Sequence, residues 1–198
     1  MDLDASYDEH SETREAIIQA FEYLLFKHEY SEVSVKQICA EAHVSKPTFY
    51  RYFHNKDSIV HWMLAESIKQ GIALVGLRHN WYDGFYRTAL YFYRHRTLFS
   101  DPQNAELTAS FVNYSSGYFK RILTTTLTSK NIKITPKLSF QIDSFNFAQG
   151  YMTRQWAKEG MHMPPELYAD YMTSVVPIDL FLLLNKPETT EGDLGTDW

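Results

Sequence analysis

One cysteine in 198 residues, Cys39, leaves the chain without an internal disulfide. It has no run of 18 apolar residues and no charged-then-apolar leader, so a cytoplasmic protein is expected. Strand alternation is missing along the whole length, which leaves helices as the regular structure. Chemistry-bearing motifs are missing too. There is no G-x-S-x-G, no phosphate-binding glycine loop and no dinucleotide fingerprint. The eight histidines never fall in an H-E-x-x-H pattern, so each reads as a surface or packing residue and no metal or cofactor is expected. An enzyme is not the expectation.

An excess of base is also missing: the net charge is −5, which at first argues against a polyanionic partner. Its distribution argues the opposite. Residues 33–56 carry Lys36, Lys46, Arg51 and Lys56 against Glu41 alone, an island of +3 in an acidic chain. Local charge on a contacting face matters more for nucleic acid than the whole-chain balance.

What is present is concentrated in the same island. Ser34 and Gln37 make a capping box, and Val35, Ile38, Cys39 and Ala42 follow at helical spacing, predicting a short helix with one buried face. A turn at His43-Val44 follows. Ser45 then caps a second helix, roughly Lys46 to Phe53, with Pro47 in its first turn, where a missing N–H costs little. Phe49 and Phe53 are expected to point inward, leaving Lys46, Thr48, Tyr50 and Arg51 outward. That division suits a helix that inserts into a DNA groove.

From about Thr13 to Ile59 the sequence resembles the DNA-binding domain of TetR-family transcriptional regulators. The resemblance rests on Ser34-Val35, Ile38, Ala42, Val44-Ser45, Thr48-Phe49-Tyr50, Tyr52-Phe53 and Lys56 in one contiguous run. It departs at Glu29 and His43, where the family commonly has glycine. A left-handed backbone at either would cost about 1 kcal/mol or more.

Around this head, residues 1–10 read as a flexible acidic tail, 11–56 as the helix-turn-helix domain, 57–185 as a helical body and 186–198 as a disordered acidic tail. Ile17, Phe21, Leu24 and Leu25 predict a bracing helix from about Ser11 to His28, and Asn55 caps a fourth helix running to near Leu77. Asn80 with Asp83 marks the next start, in a helix ending near Arg96. Asp101-Pro102 breaks the chain, and a helix resumes from about Asn104. Thr135-Pro136 and Pro164-Pro165 open the last two long helices, about 136–159 and 165–184, with Pro177 set to break the second. The expected fold is all-α, a three-helix head and a C-terminal helical domain. The resemblance makes the latter a ligand-binding and dimerisation domain, about nine helices in total.

The last two helices are apolar on more than one face, as Leu138, Phe140, Ile142, Phe145, Phe147, Tyr151, Met152 and Trp156 show, so one face is expected to meet a partner. The resemblance implies a homodimer through these helices, a palindromic double-stranded DNA operator, and an unknown small-molecule effector controlling what is expected to be a repressor. Carried over residue by residue, Lys36, Lys46, Pro47, Thr48, Tyr50 and Arg51 are base or groove candidates, and Ser34, Ser45, Tyr52, His54 and Lys56 are phosphate candidates. Lys56 stands at a helix N-terminus, where a cation is misplaced unless a phosphate docks beside it. Polar residues among the body's aromatics, His95, Asn113, Tyr114, Gln149 and Arg154, are the candidates for an effector pocket. The rival reading is a protein-interaction adaptor in which DNA binding is auxiliary.

Overall fold

The computed structural model describes the backbone of residues 3–100 and 105–185, and side chains for 12–96, 98–100 and 117–185. Ten α-helical segments occur among the described residues: α1 (Leu3–Lys27), α2 (Val35–Glu41), α3 (Lys46–Tyr52), α4 (Lys56–Gln70), α5 (Trp81–Arg94), α6 (Arg96–Phe99), α7 (Ala105–Ser129), α8 (Pro136–Lys158), α9 (Pro165–Ser174) and α10 (Ile178–Leu184). Single 3-10 turns at Tyr30–Glu32 and Ile72–Leu74 complete the set. No strand is found among the described residues, only an isolated bridge between Val75 and His79.

The caps read from the sequence are where they were expected. The Ser34 hydroxyl accepts from Gln37 N while Gln37 Oε1 accepts from Ser34 N at 2.9 Å. Ser45, Asn55, Asn80 and Thr135 each accept a backbone N–H of the first turn of α3, α4, α5 and α8. Pro177 divides α9 from α10, which meet at 113°. Among the described residues no single helix is long and apolar enough to cross a membrane.

Two boundaries differ from expectation. α1 starts at Leu3, so residues 3–10, expected as a tail, continue the helix. Nothing in residues 1–28 is Gly or Pro, and Asp4 suits the positive end of a helix, so nothing in the local sequence stops the helix short of Leu3. α4 stops at Gln70 and not near Leu77. There Gly71 brings the chain against the backbone of α5, so that a continued helix would run into it. The expected break at Asp101-Pro102 and the tail 186–198 lie outside the described residues.

The head packs Ile17, Ile18, Phe21, Leu24 and Leu25 of α1 against Ile38 and Cys39, Phe49 and Phe53, and Ile59, Val60 and Met63 of α4. These side chains also join the core of the body, so head and body share apolar packing through α4. In the body α5 lies along α9 and α7 along α8. Trp81, fully buried, stacks on Phe85, meets the Phe145 ring edge-on, and donates its indole N–H to Leu180 O at 3.4 Å. Trp156 stacks on Tyr168 at 4.3 Å between ring centres and donates to Met163 O at 2.8 Å. Burial raises the Tyr168 hydroxyl well above the ordinary phenol range, so it stays neutral.

His79, in the loop before α5, is held below its ordinary value of 6.5, first by burial and then by the Arg87 charge. A histidine whose folded value is depressed binds fewer protons than the unfolded chain does, so it opposes folding as acid is added. The stability of the wild type is therefore expected to fall as pH drops below about 6.5, with the acid-side slope shallower in His79→Asn. Denaturant midpoints across that range check it.

Candidate nucleic-acid interface

α3 is short, and its chemistry follows from its angular order. At 100° per residue, Lys46, Pro47, Tyr50 and Arg51 share an arc of about 140°, with His54 just past the helix end, while Phe49, about 60° beyond that arc, and the extended Phe53 that caps the helix turn to the core. All five of the first group are exposed, and the two phenylalanines are buried with ring centres 6.0 Å apart. Tyr50 stands 52% exposed, edge-on to Phe49, which props its hydroxyl away from the core. Lys36 of α2 is exposed as well. The outward face of α2 and α3 thus carries Lys36, Lys46 and Arg51 with an aromatic hydroxyl between, a set able to meet phosphates and guanine edges.

The turn between the helices is tight because His43 takes a left-handed backbone, φ 54°. Val44 N then reaches Cys39 O at 3.0 Å, closing the end of α2. Histidine tolerates this conformation better than most side chains. Glu29, by contrast, is extended, with φ −63° and ψ 149°, so no strain attends the missing glycine there.

Several candidates are already engaged within the protein. The Ser34 and Ser45 hydroxyls serve as helix caps, and the Thr48 hydroxyl lies 2.8 Å from that of Ser45. Tyr52 is half-buried beneath two guanidinium groups, Arg51 at 5.2 Å and Arg14 at 5.6 Å from its ring centre. Arg14, which also covers Trp62 at 5.1 Å, was not singled out from the sequence. It is the one base among the acids of residues 1–22, and that isolation was the available signal.

Lys56 makes contacts within the protein that its position in the sequence did not suggest. Its ammonium donates to Tyr30 O at 2.5 Å and Val33 O at 3.0 Å and sits over the Tyr30 ring at 4.1 Å. Tyr30 in turn donates its hydroxyl to Asp57. The cation at the head of α4 is thus stabilised by the carbonyls that end the preceding turn, and its partial burial lowers its proton affinity. Lys56→Met is expected to lower stability by about 1–3 kcal/mol, because two charge-assisted bonds are lost, and to leave the salt dependence of DNA binding nearly unchanged. Chemical denaturation and a salt titration of affinity separate the two effects.

Of the effector-pocket candidates, His95, Gln149 and Arg154 have described side chains. A cavity of about 20 Å3 lies between α4, α5, α7 and α8, lined by Leu64, Ile68, Phe85, Phe92 and Phe119 with Thr88, Gln149 and Thr153 among its polar members. Of the five candidates, only Gln149 is found in its described wall. His95 instead meets Glu22 of α1, with Nδ1 2.7 Å from Oε1, and packs on the Tyr91 ring. Arg154 is exposed on α8, next to buried Thr153. Asn113 and Tyr114 have side chains outside the described residues. Thr88 and Thr153 were missed, since buried hydroxyls within a helix leave no mark in a sequence pattern.

On the far side of the body α8 presents Phe140, Ser144, Phe147 and Tyr151 along one stripe, with Phe140 73% and Phe147 77% exposed. Ile178 and Leu182 of α10 are 63% and 69% exposed. Isolated exposed apolar residues are ordinary, but a stripe of this kind on adjoining helices is the mark of an interaction face.

Comparison with known proteins bears on this arrangement. Residues 17–63 match the family model described as bacterial regulatory proteins, tetR family. Among solved structures the chain is similar to the dihydroxyacetone kinase operon activator DhaS, with a TM-score of 0.65 and 17% identity over 88% of this chain and 98% of that one. It is also similar to a TetR-family transcriptional regulator from Syntrophomonas wolfei str. Goettingen, with a TM-score of 0.54 and 20% identity over 83% and 92%. A third is the TetR family repressor AlkX from Dietzia sp. Strain DQ12-45-1b, with a TM-score of 0.53 and 14% identity over 88% and 99%. Searched by sequence, the chain matches no curated protein. The resemblance read from Ser34–Lys56 is borne out, and with it the all-α fold of a helix-turn-helix head on a helical body. The chain has the fold of these regulators.

Proposed function

We propose that this regulator binds a palindromic operator as a homodimer, acts as a repressor, and is controlled by a small molecule held in the body. The observation that carries the DNA part is the exposed face of α3, where Lys46, Pro47, Tyr50 and Arg51 stand clear of a head braced from behind by Phe49 and Phe53. One such helix reads few bases, and a two-fold pair reads half-sites at a spacing set by the dimer. The apolar stripe of α8 and α10 supports pairing through those helices. Repression follows from steric logic: a dimer seated on an operator blocks the site without needing any further surface.

Within this reading, Lys36, Lys46, Pro47, Thr48, Tyr50 and Arg51 face the bases or groove, with Tyr52, His54 and Arg14 at the phosphate edge. Ser34 and Ser45 act chiefly as caps, and Lys56 as an internal tie. Arg51 is the guanine reader, once it swings off the Tyr52 ring. Arg51→Ala is expected to cost about 1–3 kcal/mol of operator affinity and to relax preference at one base position per half-site. Selection of bound sequences from a random pool by wild type and variant checks it, and equal loss on every sequence would remove the assignment.

Control runs through α4. Leu64 and Ile68 of this helix form a wall of the cavity, and its N-terminus carries the head. A ligand that parts the walls tilts α4 and changes the separation of the two heads, lowering operator affinity. Gel filtration together with selection from a random pool tests the whole reading. A dimer that enriches a palindrome supports it, and a dimer that enriches nothing points to the adaptor instead.

A further inference from the structure

α5 carries a line of charge on the side turned away from the core. At 100° per residue Asp83, Arg87 and Arg94 fall within an arc of about 40°, and with half-buried Tyr86, Leu90 and Tyr91 they line a groove of about 460 Å3. Both arginines are exposed, and among the described residues neither makes an ion pair. The nearby carboxylates of α4 and α1 are already met. Glu66 lies 3.6 Å from Lys69 and accepts from the Gln70 amide at 2.8 Å, while Glu22 meets His95 at 2.7 Å. The groove thus holds two unmatched cations over apolar side chains, with one acid, Asp83, at the end nearest the start of α5.

The path of the chain points to what fills it. Asn185 Oδ1 accepts from Trp81 N at 3.3 Å, so the chain that follows α10 leaves from the start of α5, at the Asp83 end of the groove. Residues 186–198 carry one base, Lys186, and four acids, Glu188, Glu191, Asp193 and Asp197. Pro187 disfavours a helix at Lys186, and Thr189 and Thr190 are β-branched, so the sequence from 186 to 191 favours an extended backbone. At about 3.3 Å per extended residue, Glu188 and Glu191 would stand about 6.6 and 16.5 Å beyond Lys186. At about 1.5 Å per helical residue, Arg87 and Arg94 stand about 6 and 16.5 Å beyond Asp83. The signs are opposite in the same order, and the spacings agree.

We infer that residues 186–191 of this chain dock in the groove, extended along α5, with Lys186 at Asp83, Glu188 at Arg87 and Glu191 at Arg94. One exposed ion pair is weak, but three in register on a tether act together, because each contact holds the next at high effective concentration. Docked there, the segment fills the groove and keeps other anions out of it. This contact is independent of the operator and effector readings.

Nuclear magnetic relaxation of the full-length protein at low salt tests it. Backbone order parameters of residues 188–191 are expected near those of the helices, about 0.85, and below about 0.6 in Arg87→Gln/Arg94→Gln. Salt at about 1 M, where screening acts within roughly 3 Å, is expected to release the wild-type segment in the same way. Arg94→Glu alone is expected to free residue 191, and Arg94→Glu with Glu191→Arg to order it again, a rescue that a merely misfolded variant would not show. Order parameters below about 0.6 for residues 188–191 in the wild type, order that survives the loss of both arginines, or no rescue by the exchanged pair would overturn the inference.

Discussion

Phe147→Glu is expected to convert the protein to a monomer and to lower operator affinity at least about 100-fold, because two linked heads gain roughly that much over one from effective concentration alone. Phe147 is 77% exposed on α8, and its neighbours along the stripe, Phe140, Ser144 and Tyr151, are exposed too. A carboxylate on the free monomer would be solvated and nearly neutral for its fold, within about 0.5 kcal/mol. In a dimer paired through this stripe it would leave water among aromatic and aliphatic side chains, which costs several kcal/mol. Ile178→Glu on α10 makes the same test from the adjoining helix. Sedimentation at several concentrations reads the mass, circular dichroism confirms that the helices persist, and a shift assay reads the affinity. If both variants remain dimers, this face is not the interface.

Gly71→Ala carries the second large effect, on stability. At Gly71 the chain leaves α4 and crosses α5 with no room for a side chain: a Cβ would lie 2.2 Å from Thr88 Oγ1, 2.5 Å from Gly84 O and 2.7 Å from Thr88 N. Two of these three atoms are backbone, inside a helix, and cannot turn aside. The hydroxyl is no freer, since it closes the crossing by accepting from Ile72 N and donating to Gly84 O. Overpacking of this kind costs about 1–3 kcal/mol, and the rigid neighbours place this case at the upper end, a fall in Tm of roughly 6–12 °C for a chain of this size. Thr88→Ala in the same chain removes one of the three clashing atoms, so the double variant should lose less than the sum.

The head was legible in the sequence because its rules are local. The Ser34-Gln37 box, the Ser45 cap with Pro47 behind it, and the Phe49/Phe53 pair each depend on residues within four positions of one another, and each stands in the structure as read. His43 is left-handed as the glycine of the resembled family implied, whereas Glu29, expected on the same ground, is extended. Lys56 was not legible in this way. Its sequence context offered a phosphate, while the carbonyls of Tyr30 and Val33, more than twenty residues away, were what it met. The pocket was the least legible part. Gln149 was named with His95 and Arg154, which do not join it in the described wall, and Thr88 and Thr153 were passed over, because which polar side chain faces a cavity depends on how four helices are rotated against one another.

By itself, then, the sequence determined the helices, their caps and breaks, the inward and outward faces of α3, and the island of positive charge on an acidic chain. These are set by periodicity, by unsatisfied backbone groups at helix ends and by charge, all of which act between near neighbours. Only the tertiary structure decided where α4 must stop, which cation is tied down, and which apolar residues of α8 and α10 remain uncovered. Each of those depends on close packing between distant segments, where a tenth of a nanometre separates a contact from a clash and a partnered group from a free one.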